Sequence, residues 1–197
     1  MPTPFTHLHV HSHFTLLEST NTTAKLVAAA KGFGMDALAL TDRANLLGAF
    51  EFAMACKDAG IKPIVGCQVN VAPLGMREKA RDWHQLVLLA QDEAGYQNLA
   101  RLVSRSNLEG FYFEPRVDLE AIAQHHAGLL CLTGAGKDGF LNRHIMAGAD
   151  DEARRQLGLL KDVFADRLWV EACDHGSDGP VSALAGNIAV ARSAGVP

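Results

Sequence analysis

Residues 6–41 read THLHVHSHFTLLESTNTTAKLVAAAKGFGMDALALT, and the order of apolar runs within them decides the fold class. Thr6 to Val10 alternates as a strand does, Thr22 to Gly32 is helix-like, and Ala37 to Thr41 is a short apolar run of strand type. Together they predict a βαβ unit. Gly32 and Gly34 stand where the helix must stop before the next strand begins.

The same rhythm continues outward from this unit. The sequence predicts a helix from Leu46 to Ala59, a strand from Pro63 to Val71, a polar loop around Gly75 to Asp82, and a strand from Gln85 to Ala90. A long helix follows with Asp92 as N-cap, then an aromatic loop from Gly110 to Arg116 and a short helix near Leu119 to His125. Beyond these come a strand from Leu129 to Thr133, two helices, a strand from Leu168 to Ala172 and a last helix from Val181 to Ser193. Repeated βα units joined by glycine turns at Gly60, Gly128 and Gly195 argue for one α/β domain built on a parallel sheet or barrel. The chain stops at Gly195-Val196-Pro197, where the pattern calls for another strand, so the expectation is a cut within a longer chain.

Composition narrows the function classes. With 197 residues, 48% of them hydrophobic, the chain is long enough for one sizeable core. No run approaches the roughly 20 apolar residues of a membrane span, and Met-Pro-Thr-Pro-Phe lacks the basic-then-apolar pattern of a signal peptide. A cytoplasmic protein without membrane contact is expected. Cys56, Cys67, Cys131 and Cys173 form no CxxC pair, which indicates thiols in helices and strands rather than a zinc knuckle or a disulfide framework. The net charge of −4 argues against strong, direct DNA binding by this chain, because gripping a phosphate backbone calls for a basic stripe.

The residues that carry chemistry begin with His7, His9, His11 and His13, which alternate across the first predicted strand and the turn after it. His9 and His11 lie nearest the strand's C-terminal end, where the sites of parallel barrels are built. Imidazoles two residues apart point into one pocket, and neutral nitrogen donors suit zinc, manganese or iron. The other strand ends offer Asp42-Arg43, Cys67-Gln68, Ala135 and Asp174-His175-Gly176. Asp174-His175-Gly176 reads equally as a turn with an exposed histidine. His84 sits at the start of its predicted strand, which by itself reads as structural. His125, His126 and His144 lack partner donors at a convincing spacing and read as surface residues. Tyr96, Phe111, Tyr112 and Phe113 lie among few basic residues, so packing is preferred to base stacking.

Several runs resemble a known family. His7-Leu8-His9-Val10-His11-Ser12, Ala39-Leu40-Thr41-Asp42-Arg43-Ala44-Asn45-Leu46-Leu47-Gly48-Ala49 and Gly60-Ile61-Lys62-Pro63-Ile64-Val65-Gly66-Cys67-Gln68 resemble the opening motifs of bacterial DNA polymerase III alpha subunits. His84-Gln85-Leu86-Val87-Leu88-Leu89-Ala90, Gly95-Tyr96-Gln97-Asn98-Leu99 and Gly110-Phe111-Tyr112 continue the match in order, so the resemblance covers essentially the whole chain. It points to the N-terminal PHP (polymerase and histidinol phosphatase) domain. For the fold, it implies a distorted seven-stranded β/α barrel, with residues 1–197 as a single domain whose last strand and closing Asp-x-His metal motif lie past Pro197.

Carried over position by position, the resemblance implies a metal-ligand set of His9, His11, Glu18, His84 and His175, with Glu18 where an aspartate is usual. Arg43 stands where active members have histidine in a Thr-Asp-His motif, Gln68 replaces a metal-bridging glutamate and Ala135 replaces a further donor. Those departures matter through charge. A permanent cation about 4 Å from a divalent ion costs at most roughly 8 kcal/mol at an effective dielectric near 20, and a neutral amide cannot offset the repulsion between two metal ions. A vestigial or partial site is therefore expected, with zinc, manganese or iron at partial occupancy and no metal required. Arg43 pairing with Glu18 or Asp42, in place of a metal ion, is the accompanying hypothesis.

The function that follows from the resemblance is a degenerate scaffold within a replicative polymerase. Such a scaffold supports the polymerase body and docks the proofreading exonuclease subunit, and it meets DNA only through the parent holoenzyme. The alternative is a metal-dependent phosphoesterase or 3′ to 5′ exonuclease acting on DNA ends. A histidinol phosphatase or similar small-molecule enzyme is more distant, because the runs around Tyr96 and Asn107-Leu108-Glu109-Gly110 are of polymerase type.

Overall fold

A computed structural model describes residues 5–174 and 183–197. Its centre is a five-stranded sheet in the order β1(Ala37–Leu40), β2(Lys62–Val71), β3(His84–Ala90), β4(Leu129–Leu132) and β5(Leu168–Trp169). Strands β1 and β2 are parallel, joined through α2(Ala49–Ala59), and β4 and β5 are parallel, joined through α5(Asn142–Met146) and α6(Asp150–Phe164). β3 runs antiparallel to both its neighbours. The expected all-parallel arrangement is thus corrected to a mixed five-stranded sheet among the described residues. The cause is the connection over residues 72–83. It contains no helix, and a parallel return needs a long crossover, so the chain turns back on itself.

The other elements follow local rules. α1(Thr23–Gly32) starts on Thr22, whose side chain accepts a hydrogen bond from the Lys25 N–H. α3(Glu93–Leu108) starts on the predicted cap Asp92, which accepts from Gly95 N at 2.8 Å. Gly95 is required there for a second reason. A Cβ at that position would lie 1.9 Å from the Gly128 carbonyl oxygen at the entry to β4. α4(Leu119–Gln124) is capped by Asp118, and α7(Leu184–Ala194) ends on Gly195 in the left-handed conformation. The predicted first strand is corrected to an extended segment. It lies against β1 through Ala39 N to His7 O (3.0 Å) and Thr41 N to Val10 O (2.8 Å) without forming a regular ladder.

Both faces of the sheet are apolar, which is why its strands read as continuous hydrophobic runs. The outer face of β2 to β5 carries Cys67, Val69, Leu86, Leu88, Leu129, Cys131 and Leu168, packed in one cluster with Leu99 and Leu102 of α3 and Leu157, Leu160 and Phe164 of α6. A second cluster packs Val27 of α1 and Phe52 and Cys56 of α2 on Leu38 and Leu40 of β1. The inner face carries Ala39, Ile64, Val87, Leu89, Leu130, Leu132 and Trp169. The polar residues of interest lie at the ends of the strands on this inner face.

Candidate functional site

The register assigns each site residue to a face. Residues facing each other across a ladder share a face, and the face alternates along each strand. Gln68 pairs with Val87, Val87 with Leu132, and Leu132 with Trp169, so all four point inward. Arg43 lies opposite Gln68 in an isolated parallel bridge and shares that face. Glu171, two residues after Trp169, returns to it.

His9 is the hub of the cluster. Its Nδ1 lies 2.8 Å from Glu171 Oε1 and its Nε2 lies 2.7 Å from Gln68 Oε1. Burial pulls the His9 pKa down, but the Glu171 hydrogen bond and charge, with the Gln68 hydrogen bond, outweigh it and raise the pKa above the ordinary imidazole value. His11 sits beside it, with ring centroids 5.3 Å apart in an edge arrangement. Its pKa is lowered by burial and by the neighbouring His9, and its Nε2 is buried without a hydrogen-bond partner. Glu171 is held in turn by its own N–H, which donates to Thr133 Oγ1 at 3.0 Å. A cavity of about 510 Å³ opens beside the cluster, bounded by Leu8, His9, Leu130, Leu132, Trp169 and Glu171.

The HxH turn is fixed from behind by Asp42, which is 2% exposed. Its carboxylate accepts from Ser12 N, Ser12 Oγ and Thr15 Oγ1, all at 2.7 Å. Arg43 therefore reaches the site alone. Its Nη1 pairs with Glu18 and its Nη2 with Glu114 Oε1 at 2.7 Å. Of the two partners expected for Arg43, the pairing is with Glu18 and not with Asp42, whose lone pairs are taken by the turn.

The structure thus brings together His9, His11, Gln68, Arg43 and Glu18, and adds Glu171 and Glu114, which the sequence reading missed. Glu171 carried a usable signal as a carboxylate at the C-terminal end of an apolar predicted strand. Glu114 carried none, because the aromatic loop reaches Arg43 only through the tertiary fold. Of the two remaining expected members, only His84 is among the described residues. His175 lies outside the described residues. His84 pairs with Val71 on the outer face, with its ring stacked on His144 at 5.3 Å and against Phe140 at 5.7 Å. Because β3 is antiparallel, the start of that strand does lie at the same sheet end as the end of β2, yet its odd spacing from Val87 turns His84 to the opposite side. Ala135 lies in the turn after β4, between Gly134 and Gly136.

The donors among the described residues do not by themselves fit a polynuclear metal centre. Glu18 is engaged by a permanent cation, both His9 nitrogens face protein oxygens, and the amide of Gln68 brings no charge. Among the described residues, no three His, Cys, Asp or Glu side chains group as they would to hold a metal ion. Nor is any helix among those residues long and apolar enough to cross a membrane.

Comparison with known proteins identifies the family of the chain. A family model described as the PHP domain matches residues 7–175. The DNA polymerase III subunit alpha of Treponema pallidum is 40% identical over 182 residues, covering 88% of this chain and 15% of the relative. The subunit of the same name from Caulobacter vibrioides is 40% identical over 200 residues, covering 98% of this chain and 17% of the relative. The chain therefore spans less than a fifth of the length of these curated relatives. A crystal structure of a Bifidobacterium adolescentis protein, described as a metal-dependent phosphoesterase, superposes with a TM-score of 0.61 at 13% identity, over 99% of this chain and 85% of that one. At that identity the likeness is one of fold.

Proposed function

This chain belongs to the PHP domain family, and on that premise we propose that it is the PHP domain of a replicative DNA polymerase alpha subunit, serving as a non-catalytic scaffold. The observation that carries the reading is Arg43. Its guanidinium sits on the inner face beside Gln68, paired with Glu18 and Glu114, so that a protein cation occupies the electrostatic role of a metal ion. The identity of 36–42% to polymerase alpha subunits over most of the chain supports the polymerase context. In that context the domain is one part of a longer polypeptide whose other regions perform template-directed DNA synthesis in the cytoplasm. The domain supports that body and docks the proofreading exonuclease subunit.

The seven-stranded barrel belongs to the same proposal. The Val170 N–H donates to the Pro197 carbonyl at 2.7 Å, which lays the residues after α7 along the free edge of β5. Further strands set there would bridge β5 and the extended His7 to Val10 segment and cover the apolar cavity between them.

The test is metal analysis of the purified chain, paired with a 3′ to 5′ exonuclease assay in manganese or zinc. The scaffold reading expects substoichiometric metal and no cleavage above background. Tightly held stoichiometric metal, with cleavage lost on His9→Ala, would overturn it in favour of a metal-dependent phosphoesterase.

A further inference from the structure

Four non-glycine residues among the described ones have positive φ: Leu17 at 67°, Ala44 at 54°, Phe113 at 63° and Ala165 at 51°. A residue with a Cβ is disfavoured in that region and stays there only when its surroundings hold it. Three of the four flank the same ion cluster. Leu17 precedes Glu18, Ala44 follows Arg43 and Phe113 precedes Glu114. Leu17 lies in the turn closed by Glu18 N and Ser19 N on Thr15 O, and its fully exposed side chain gains no packing from its conformation.

We infer that Arg43 is the tie of a three-segment clasp. It joins the turn over residues 12–19, the segment after β1 and the aromatic loop over residues 110–116, and it holds the tips of both loops beside the imidazole cluster. The bases of the two loops are anchored independently. Asp42 holds Ser12 and Thr15. The aromatic loop is fixed by Asn70 Nδ2 donating to Pro115 O at 3.1 Å and by Arg116. The guanidinium meets the two loops at their tips, through Glu18 and Glu114, and two of the strained residues, Leu17 and Phe113, lie beside those glutamates. Breaking the tie therefore opens both loops locally without unfolding the sheet. The clasp deepens the scaffold reading and rests on the same pairs of Arg43 with Glu18 and Glu114.

Hydrogen exchange read by mass spectrometry on the 197-residue chain tests it. Arg43→Gln is expected to speed exchange about ten-fold or more at residues 16–19 and at 111–114 together, while 86–89 in the middle of β3 keep the wild-type rate. Glu18→Gln should loosen only the first loop and Glu114→Gln only the second. Arg43→Lys should restore at most one, since a single ammonium lacks the two-sided fork. Wild-type exchange at both loops in Arg43→Gln overturns the clasp. Should 86–89 also speed up in that variant, the two glutamate variants decide instead, and loss of their one-loop selectivity overturns it equally. Metal content of the wild type tests the scaffold reading separately.

Discussion

Replacing Arg116 with methionine is expected to lower the stability of the domain more than any surface change. Arg116 is 1% exposed, yet it faces no carboxylate. Its Nε donates to Gly110 O at 3.1 Å, Nη1 to Ala80 O at 2.7 Å and Nη2 to Met76 O at 3.0 Å. One side chain thus pins the connection between β2 and β3 to the aromatic loop. Hydrogen bonds from a charged group contribute about 1.5–3 kcal/mol each. Two opposing effects reduce that sum: removing the guanidinium also removes its desolvation cost, and Ala80 O lies near the surface, where water replaces the lost donor. The net loss is then about 2–6 kcal/mol, from about 1–3 kcal/mol for each of the two buried carbonyls, Gly110 O and Met76 O, left without a donor. With a urea slope of about 2 kcal/mol/M, the unfolding midpoint should fall by roughly 2 M. Fluorescence of Trp83, in the pinned connection, and of Trp169, in β5, reports the transition in equilibrium urea titrations. Arg116→Lys should recover little, because one ammonium on a flexible stem cannot span three carbonyls. A midpoint within about 0.3 M of wild type for Arg116→Met would refute the argument that these bonds hold the two loops.

Two further outcomes follow from the protonation chemistry. Burial, then the neighbouring charges of His144 and Arg143, lowers the His84 pKa below 6.5 against the opposing Asp82 and Asp138. The unfolded chain therefore binds the extra proton first, so this contribution is fully present above pH 6.5 and is lost as pH falls from there toward the folded pKa. In urea titrations between pH 7 and 5.5, His84→Phe should show a shallower fall in stability than wild type; identical slopes would count against it. Burial pushes the Cys56 thiol to about 11 and Cys67 to about 12, and raises Cys131 as well; Cys173 is raised too, by partial burial and the charges of Glu171 and Asp174, but it alone of the four is exposed. A thiol reagent at pH 8 should modify Cys173 in the native protein and the remaining three cysteines only after denaturation; rapid labelling of a buried one would contradict the packing described.

How far the sequence could be read depended on the range of the interaction. Helices with local caps, such as those starting at Thr22, Asp92 and Asp118, lie close to their predicted bounds, because cap and helix are neighbours in the chain. The HxH pair and Arg43 were visible as residue types at strand ends, and Gln68 within a strand. The polar loop from Gly75 to Asp82 was visible too, and its lack of a helix was the available sign that β3 turns back; the repeated βα rhythm was followed instead.

Sequence alone determined the alternation of elements, the family, and the presence of a guanidinium at position 43 and a neutral amide at position 68, since each is a property of residue identity and order. Only the tertiary structure decided which side chains meet. Face selection in a sheet has period two, so the register of β3 turned His84 outward and that of β5 turned Glu171 inward. Arg43's choice of Glu18 and Glu114 over the adjacent Asp42 followed from Asp42 already accepting three hydrogen bonds from the turn behind it.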